Sequence, residues 1–216
     1  MTKAATLRPI KTLGAILAAL VLLFLAVASV TRGFAAVTSD GVRRIDLVHT
    51  PRILPDIALR DQAGRVFSLA DYGLPSDYVT YVTLVYIRCS SLCLGSASGQ
   101  AFLQSQIGKR GLQKNVRLLT ISFDPYQDTP DVIKDYAHRL GADPGLWRIA
   151  SVRNPDDLAP LLSTFNMVVL PDGLGGYLHN GALFMIGRDG RLARAYDVGR
   201  PDLALAEHLY GKAEGP

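Results

Sequence analysis

Cys89 and Cys93 are the only two cysteines of the chain, and their spacing could support chemistry. Residues four apart lie on one face of a helix, so both sulfurs would point the same way if this segment is helical. The start of a helix stabilises thiolate anions, which makes a cysteine a better nucleophile or metal ligand. The pair therefore indicates either a dithiol that exchanges with disulfides or part of a soft-metal site.

Two simpler interpretations of this pair remain. A structural disulfide between Cys89 and Cys93 would close a very short loop, and the gain in chain entropy from so short a loop is small. Two buried, inert thiols are less consistent with the polar neighbours Arg88, Ser90 and Ser91. Two cysteines alone do not complete a zinc or iron–sulfur site. A metal would therefore need a third ligand from elsewhere in the chain.

The segment before the cysteines must position them. The run from Tyr81 to Ile87 is apolar or β-branched and carries no charge, which predicts a strand buried on both faces. The stretch from Leu94 to Ile107 has helix-compatible residues. The two thiols are therefore expected where a central strand ends and a helix begins.

The net charge of the chain comes from its N-terminal segment. Four of the 23 basic residues lie within the first 32 positions: Lys3, Arg8, Lys11 and Arg32. The other 19 basic residues equal the 19 acidic residues in number. The remainder is neutral, so the high isoelectric point does not indicate a nucleic-acid-binding protein.

An uncharged stretch, Leu13 to Val30, follows these basic residues. Its length is close to the roughly 20 residues that span a bilayer as a helix, and the preceding positive charges predict a cytoplasmic N-terminus. A cleaved signal peptide is the alternative, since Ala26-Val27-Ala28 resembles a cleavage site. The apolar run continues past that point, which favours a retained anchor. A single-pass protein of a bacterial inner membrane is expected, with its main domain in the oxidising periplasm.

The remaining patterns predict the domain organisation and the fold class. We expect an anchor or signal peptide over residues 1–33, a linker without clear periodicity over 34–54, and one domain over 55–210. The expected elements of that domain are a hairpin around Asp61–Gly64, a strand over Val116–Phe123, helices starting at Thr129-Pro130 and Asn154-Pro155, strands over 181–186 and 192–198 joined by the turn Gly187–Gly190, and a helix over Pro201–Tyr210. This order predicts an α/β thioredoxin-like fold, a central mixed sheet flanked by helices. Three residues separate the two cysteines, where the usual redox motif has two.

Three motifs in order carry a family resemblance. An apolar strand enters Cys89-x-x-x-Cys93, the segment Ser122-Phe123-Asp124-Pro125-Tyr126-Gln127-Asp128-Thr129-Pro130 follows, and His179 precedes a strand that ends in Gly187-Arg188-Asp189-Gly190-Arg191. Together, over roughly Pro55 to Leu209, they resemble the SCO/SenC family of membrane-anchored copper proteins.

The resemblance implies a ligand set and a function. In that family two cysteines and a histidine bind one copper ion, which points to Cys89, Cys93 and His179 as ligands here. Such a set suits Cu(I) and can also hold Cu(II) with a weak extra ligand. The implied function is delivery of copper to the binuclear copper centre of cytochrome c oxidase, reduction of its cysteines, or both, during assembly. The expected partner is a copper-accepting subunit of the oxidase or another cuproprotein, and no nucleic acid.

The alternative function is enzymatic. Cys89 and Cys93 would be the catalytic pair of a periplasmic thiol–disulfide oxidoreductase without a metal role. A peroxide-reducing or redox-sensing protein is a third, weaker interpretation. The metallochaperone is favoured over either enzyme.

This sequence departs from the family pattern next to the implied ligands. The family commonly has a proline after each cysteine, where this chain has Ser90 and Leu94, and a serine after the histidine, where it has Asn180. The implied ligands themselves are in place.

Other candidate side chains have simpler expected roles. The remaining histidines are expected to be structural or exposed: His49, His138 and His208. Met167 and Met185 could be soft copper ligands, although Met185 lies in an apolar strand and is expected in the core. Arg88 could lower the cysteine pKa values or simply face solvent.

Two acids in the second motif also have two interpretations. Asp124 and Asp128 are expected to end a strand and cap a helix. The alternative, implied by the resemblance, is that they shape the copper site or a partner surface.

Overall fold

The computed structural model describes residues 7–31, 38–88, 92–173 and 175–210. Lys3, Arg32, Cys89 and Ser90 lie outside these residues, and only the backbone is described for Cys93 and Leu94. By its contacts the chain divides into two units, one up to Ile45 and one from Asp46 onward.

The first unit contains helix α1, Leu7–Val30. Within it, Thr12–Val30 is long and apolar enough to cross a membrane, and the large apolar side chains from Leu13 onward are exposed. The predicted apolar N-terminal helix is therefore present.

Helix α2, Ser39–His49, occupies part of the segment in which the sequence predicts an irregular linker. The helix has only three turns and includes Gly41 and β-branched residues, which have low helix propensity. Its residue Leu47 belongs to the second unit, as does Leu54, and both are buried in the core of that unit. The packed domain thus begins before the expected boundary at residue 55.

The described part of the second unit forms nine strands. They are β1 (Ala58–Asp61), β2 (Val66–Ser68), β3 (Val79–Val85), β4 (Val116–Ser122), β5 (Trp147–Val152), β6 (Val169–Pro171), β7 (Tyr177–His179), β8 (Leu183–Ile186) and β9 (Leu192–Tyr196). Seven of them form one sheet in the order β2-β1-β5-β4-β3-β8-β9, while β6 and β7 form a separate two-stranded sheet. Strands β3, β4 and β5 are parallel, and the other pairings are antiparallel. The predicted mixed sheet is confirmed.

Helices cover both faces of this sheet. They are α3 (Leu92–Lys109), α4 (Pro130–Leu140), α5 (Leu158–Phe165) and α6 (Pro201–Tyr210). Helices α3, α4 and α6 contribute buried residues to one apolar cluster, and α5 contributes to the other together with the short 3-10 helix Leu69–Gly73. The predicted bounds of α6 are confirmed.

Strand β3 lies at the centre of the domain, between β4 and β8. All seven of its residues are buried, and Tyr81 and Val82 belong to the apolar clusters on opposite faces. The predicted burial on both faces is confirmed. The paired strand begins two residues before Tyr81 and ends at Val85, because the chain turns at Ile87 and Arg88.

Candidate metal centre

The cysteine segment connects the end of β3 to α3. Tyr86 follows β3, Ile87 and Arg88 form a turn, and position 89 comes next. Helix α3 begins at Leu92, so Cys93 is its second residue. The backbone therefore places the segment at the predicted junction of a central strand with a helix.

His179 is the last residue of β7. The sequence predicts it in a loop before a strand, whereas the structure places it in the small β6–β7 sheet, paired with Val169. Leu170 and Leu178, the next pair along this sheet, are both exposed, while Val169 and His179 are half-buried. Side chains alternate between the faces of a strand, so His179 lies on the inward face.

The rings of Tyr86 and Phe123 contact the His179 ring, and Tyr177 packs against both of them, so that four residues form an aromatic cluster: Tyr86, Phe123, Tyr177 and His179. The His179 ring centroid lies 5.2 Å from that of Phe123 and 6.0 Å from that of Tyr86, both nearly perpendicular. The Tyr177 ring packs edge-on against both of these aromatic rings. Edge-to-face contacts at these distances are favourable, so the cluster orients the imidazole at the ends of β3 and β4.

Hydrogen bonds hold β7 against the end of β3. The Tyr86 hydroxyl accepts from the Tyr177 amide nitrogen at 3.3 Å and donates to the Tyr177 carbonyl oxygen at 3.4 Å. Asn180, directly after β7, attaches this strand to the residue before β6, because its side-chain oxygen accepts from the Val168 amide at 2.7 Å. The strand that carries His179 is thus attached on both sides.

Burial lowers the pKa of the His179 imidazole from its ordinary value of 6.5. Removing the ring from water penalises the charged form. The imidazole is therefore neutral at neutral pH, which is the form that binds metal ions.

A cavity of about 120 Å³ joins His179 to the first turns of α3. It is lined by Ser96, His179, Gly181, Asp197 and Val198. Ser96 follows Cys93 by three positions on α3, and residues three apart share a helix face. The structure thus places His179 beside the helix that begins with the cysteine segment.

Asp128 joins the end of β3 to the end of β4. Its carboxylate oxygen Oδ2 accepts from the Ile87 amide at 2.9 Å and from the Ser122 hydroxyl. Burial raises the pKa of this carboxyl from 3.8. The expectation that Asp128 caps a helix is wrong, since the side chain that caps α4 belongs to Thr129. Asp124 is also buried, in the turn that follows β4.

Arg88 is exposed, and its Nη1 donates to the side-chain oxygen of Gln127 at 2.9 Å. This contact attaches the turn before the cysteines to the loop between β4 and α4. The expected exposure of Arg88 to solvent is confirmed, and its effect on the cysteine pKa values stays a prediction, because Cys89 lies outside the described residues.

The other candidate side chains lie away from the aromatic cluster or within the core. His49 and His138 are exposed, and His208 is half-buried on α6. Met167 is buried in the apolar core. Met185 is half-buried in β8, where its sulfur accepts from the Tyr196 hydroxyl at 3.8 Å. The expected core position of Met185 is thus largely correct.

Within the part of the chain that the structure describes, no three His, Cys, Asp or Glu side chains come together as a metal site. A complete site at this edge of the sheet would therefore include donors from the segment 89–91 or from the side chain of Cys93. Sequence reasoning missed the other residues that shape the surroundings of His179, namely Tyr86, Phe123 and Tyr177. The aromatic residues directly after β3 and β4 were a usable signal for the first two, and no local signal identifies Tyr177.

Comparison with known proteins identifies the family. The SCO1/SenC family model matches residues 48–213. The chain belongs to the SCO1/SenC family. A SCO1 protein homolog of Bacillus subtilis (strain 168) is 21% identical over 115 residues, which cover 52% of this chain and 58% of that relative. The match therefore spans little more than half the length of the relative.

Solved structures of the family share the fold of this SCO1/SenC protein. A SCO1/SenC family lipoprotein from Bacillus anthracis str. Ames aligns with a TM-score of 0.65 at 20% identity, covering 77% of this chain and 99% of that one. Bradyrhizobium japonicum ScoI with copper bound aligns with a TM-score of 0.58 at 24% identity, covering 72% and 97%. The predicted family and the thioredoxin-like fold are confirmed.

Proposed function

We propose that this protein is a membrane-anchored copper-binding assembly factor. It would accept one copper ion on Cys89, Cys93 and His179 and deliver it to a copper-accepting subunit of cytochrome c oxidase at the binuclear copper centre, or to another cuproprotein. The observation that carries the proposal is the position of His179, whose neutral imidazole lies beside α3 at the end of β3.

The chemistry of the donor set supports copper as the cargo. Thiolates select Cu(I), and an imidazole also suits copper. The N-terminus of α3 would favour the thiolate form of the cysteines. Three ligands leave a coordination position open, through which a thiolate or imidazole of the acceptor could take the ion by ligand exchange. Bradyrhizobium japonicum ScoI, a structural relative, is known with copper bound.

The surrounding residues would position the ligand rather than bind the ion. The rings of Tyr86 and Phe123 restrict rotation of the imidazole and exclude water from one side of it. The Tyr86 hydroxyl attaches β7 to the strand that leads into the cysteine segment. The strand that carries His179 and the segment that carries the cysteines are therefore both attached to the central strand of the sheet.

The anchor and the domain boundaries form part of this proposal. Residues 1–33 would hold the protein in a bacterial inner membrane through α1, and the copper-binding domain in the periplasm would comprise the predicted residues 55–210 together with the buried Leu47 and Leu54 that precede them. The span Thr12–Val30 supports the anchor, and the relative from Bacillus anthracis is a lipoprotein.

Anaerobic loading with Cu(I) tests the metal assignment. The reduced full chain in a non-ionic detergent should retain one copper ion per chain in competition with a Cu(I) chelator. Cys89→Ser, Cys93→Ser and His179→Ala should each weaken binding by at least about 100-fold, because a lost ligand costs more than a lost neighbour of a ligand. His138→Ala, at an exposed position of α4, is the matched control and should bind like the wild type. Unchanged affinity in His179→Ala would refute the assignment of the third ligand.

The position of Cys93 at the start of α3 favours thiol–disulfide exchange as a second candidate function. One thiolate would attack a client disulfide and form a mixed disulfide, and the second would resolve it. The client would leave with two thiols, and Cys89 and Cys93 would become a disulfide. His179→Ala should leave this exchange largely intact. Rapid exchange combined with no retained copper in the wild type would favour the reductase.

A further inference from the structure

A second polar cavity lies at the opposite end of the parallel strands from His179. It occupies about 240 Å³, and we call it the arginine pocket; its lining includes Tyr72, Tyr78, Arg117 and Arg148. Arg117 and Arg148 are the second residues of β4 and β5, and Tyr78 directly precedes β3. A strand of seven residues spans about 20 Å, so this cavity is separate from the aromatic cluster.

Arg117 is half-buried and is held in one orientation. Its guanidinium carbon lies 4.3 Å from the ring centroid of Tyr72 and 5.1 Å from that of Tyr78. Its Nε donates to the Thr80 hydroxyl at 2.8 Å. These contacts leave the two terminal nitrogens of the guanidinium without a hydrogen bond to a described residue, so their N–H groups can bind a ligand.

Arg148 supplies the second positive charge. Its Nη1 donates to the Tyr72 hydroxyl at 3.3 Å, and its guanidinium stacks over Phe67 at 4.5 Å. Its Nε lies 3.5 Å from a carboxylate oxygen of Asp61. The same carboxylate also binds Arg65 and two backbone amides. The carboxylate of Asp61 therefore divides its interactions among Arg148, Arg65 and two backbone amides.

The positive charge of this cavity exceeds its negative charge. Among the described residues no carboxylate lies within ion-pair distance of Arg117, and the one beside Arg148 is Asp61. Buried arginines are normally paired. Burial lowers the pKa of the Arg117 guanidinium, and the like charge of Arg148 lowers it further, yet the group stays charged at neutral pH. A bound anion would offset both costs.

We propose that the arginine pocket binds a small oxyanion-bearing ligand, a phosphate or a carboxylate compound, between Arg117 and Arg148. Guanidinium groups recognise both oxyanions through paired, planar hydrogen bonds. The rings of Tyr72 and Tyr78 hold Arg117 in place before the ligand arrives, which reduces the entropy lost on binding. This site is independent of copper and of the cysteines.

Calorimetric titration of the full chain in non-ionic detergent tests the proposal. One arm uses inorganic phosphate and the other uses citrate, both in a chloride buffer. Saturable binding of one ion per chain, with a Kd of about 1 mM or below, is expected in at least one arm. Binding of phosphate alone assigns a phosphate ligand, and binding of citrate alone assigns a carboxylate.

Matched variants separate the site from general salt effects. Arg117→Gln and Arg148→Gln should each weaken binding at least tenfold, and Arg117→Lys, which keeps the charge but not the planar fork, should weaken it as well. Arg153→Gln removes an exposed arginine just after β5 and should bind like the wild type. Thermal unfolding without the anion shows whether each variant is folded.

Three results would overturn the proposal. They are no saturable binding in either arm, binding that survives Arg117→Gln, and an unfolding temperature that rises with the concentration of added anion without levelling off, as it does with excluded salts. His179→Ala should bind the anion like the wild type, so failure of the copper proposal and failure of this one are distinguishable.

Discussion

The hydroxyl group of Tyr86 is hydrogen-bonded twice to the backbone of Tyr177, although 91 positions separate the two residues in the sequence. The Tyr86 oxygen meets both the amide and the carbonyl of the Tyr177 peptide, so a single side chain closes the backbone of β7 against the end of β3. The attachment depends on one atom, which can be removed without removing the ring.

Replacing Tyr86 with Phe should therefore separate the contribution of the two hydrogen bonds to stability from that of the ring contacts. The variant keeps the edge-on ring contacts but loses both hydrogen bonds, and we expect the free energy of unfolding to fall by about 1 kcal/mol. Urea denaturation measures this change. Tyr126→Phe is the control, because Tyr126 is 73% exposed and should lose nothing. An equal loss in both variants would contradict the attachment.

Gly190 allows the turn after β8 to lie against the 3-10 helix that ends at Gly73. A Cβ added to Gly190 would overlap the Gly73 carbonyl oxygen, and the φ of Gly190 is +76°. Gly190→Ala should therefore cost more than about 3 kcal/mol of unfolding free energy.

The matched control for this substitution is Gly64→Ala. Gly64 has a φ of +77° but open space around it, so this variant should lose only the conformational cost of about 1 kcal/mol. Thermal or urea unfolding of both proteins gives the difference. Similar losses would show that conformation, not the contact with Gly73, makes glycine necessary at position 190.

The buried carboxyl of Asp128 should make stability depend on pH. Its pKa is raised in the folded protein, above all by burial, so the folded state holds this proton at a pH where the unfolded chain has lost it. The stabilising contribution is complete below the ordinary value of 3.8 and is lost as pH rises through the raised pKa. Asp128→Asn removes the charge and keeps an acceptor oxygen.

The stability of Asp128→Asn relative to the wild type should therefore increase from about pH 4 to neutral pH. Urea unfolding at several pH values measures this trend. Asp128→Ala, which loses the bonds to Ile87 and Ser122, should cost about 1–3 kcal/mol. A difference between Asp128→Asn and the wild type that is constant with pH would contradict the raised pKa.

The titration of His179 can be followed by NMR in the reduced, metal-free protein. Burial lowers its pKa, so the ring resonance should shift with a midpoint below 6.5. In concentrated urea, where the burial is lost, the same ring should titrate near its ordinary value. Equal midpoints in the two conditions would show that the ring is not held in the aromatic cluster.

Local patterns predicted much of the fold. The uncharged run of β3, the turn Gly187–Gly190 and helix α6 all have strong signals within a few neighbouring residues. The start of α4 is similar, because Thr129 and Pro130 form a cap and a first turn that are readable from the sequence.

The surroundings of His179 were harder to predict. Strands β6 and β7 have three residues each and flank a glycine-rich loop, so no periodicity identifies them. The contacts of Tyr86 and Phe123 with β7 are made by residues far apart in the sequence, and a single sequence does not show such pairings. Helix α2 was missed for a different reason, since its glycine and its β-branched residues have low helix propensity.

The separate pairing of β6 with β7 has a consequence for local opening of the fold. Strand β3 is buried and paired on both sides, so its amides should exchange with deuterium only on global unfolding, whereas three-residue strands that pair with each other should open far more readily. The strand that leads into the cysteine segment is thus expected to be far better protected than the strand that carries His179. Metal binding should accordingly be visible as slower deuterium uptake in the β6–β7 hairpin, with little change in β3.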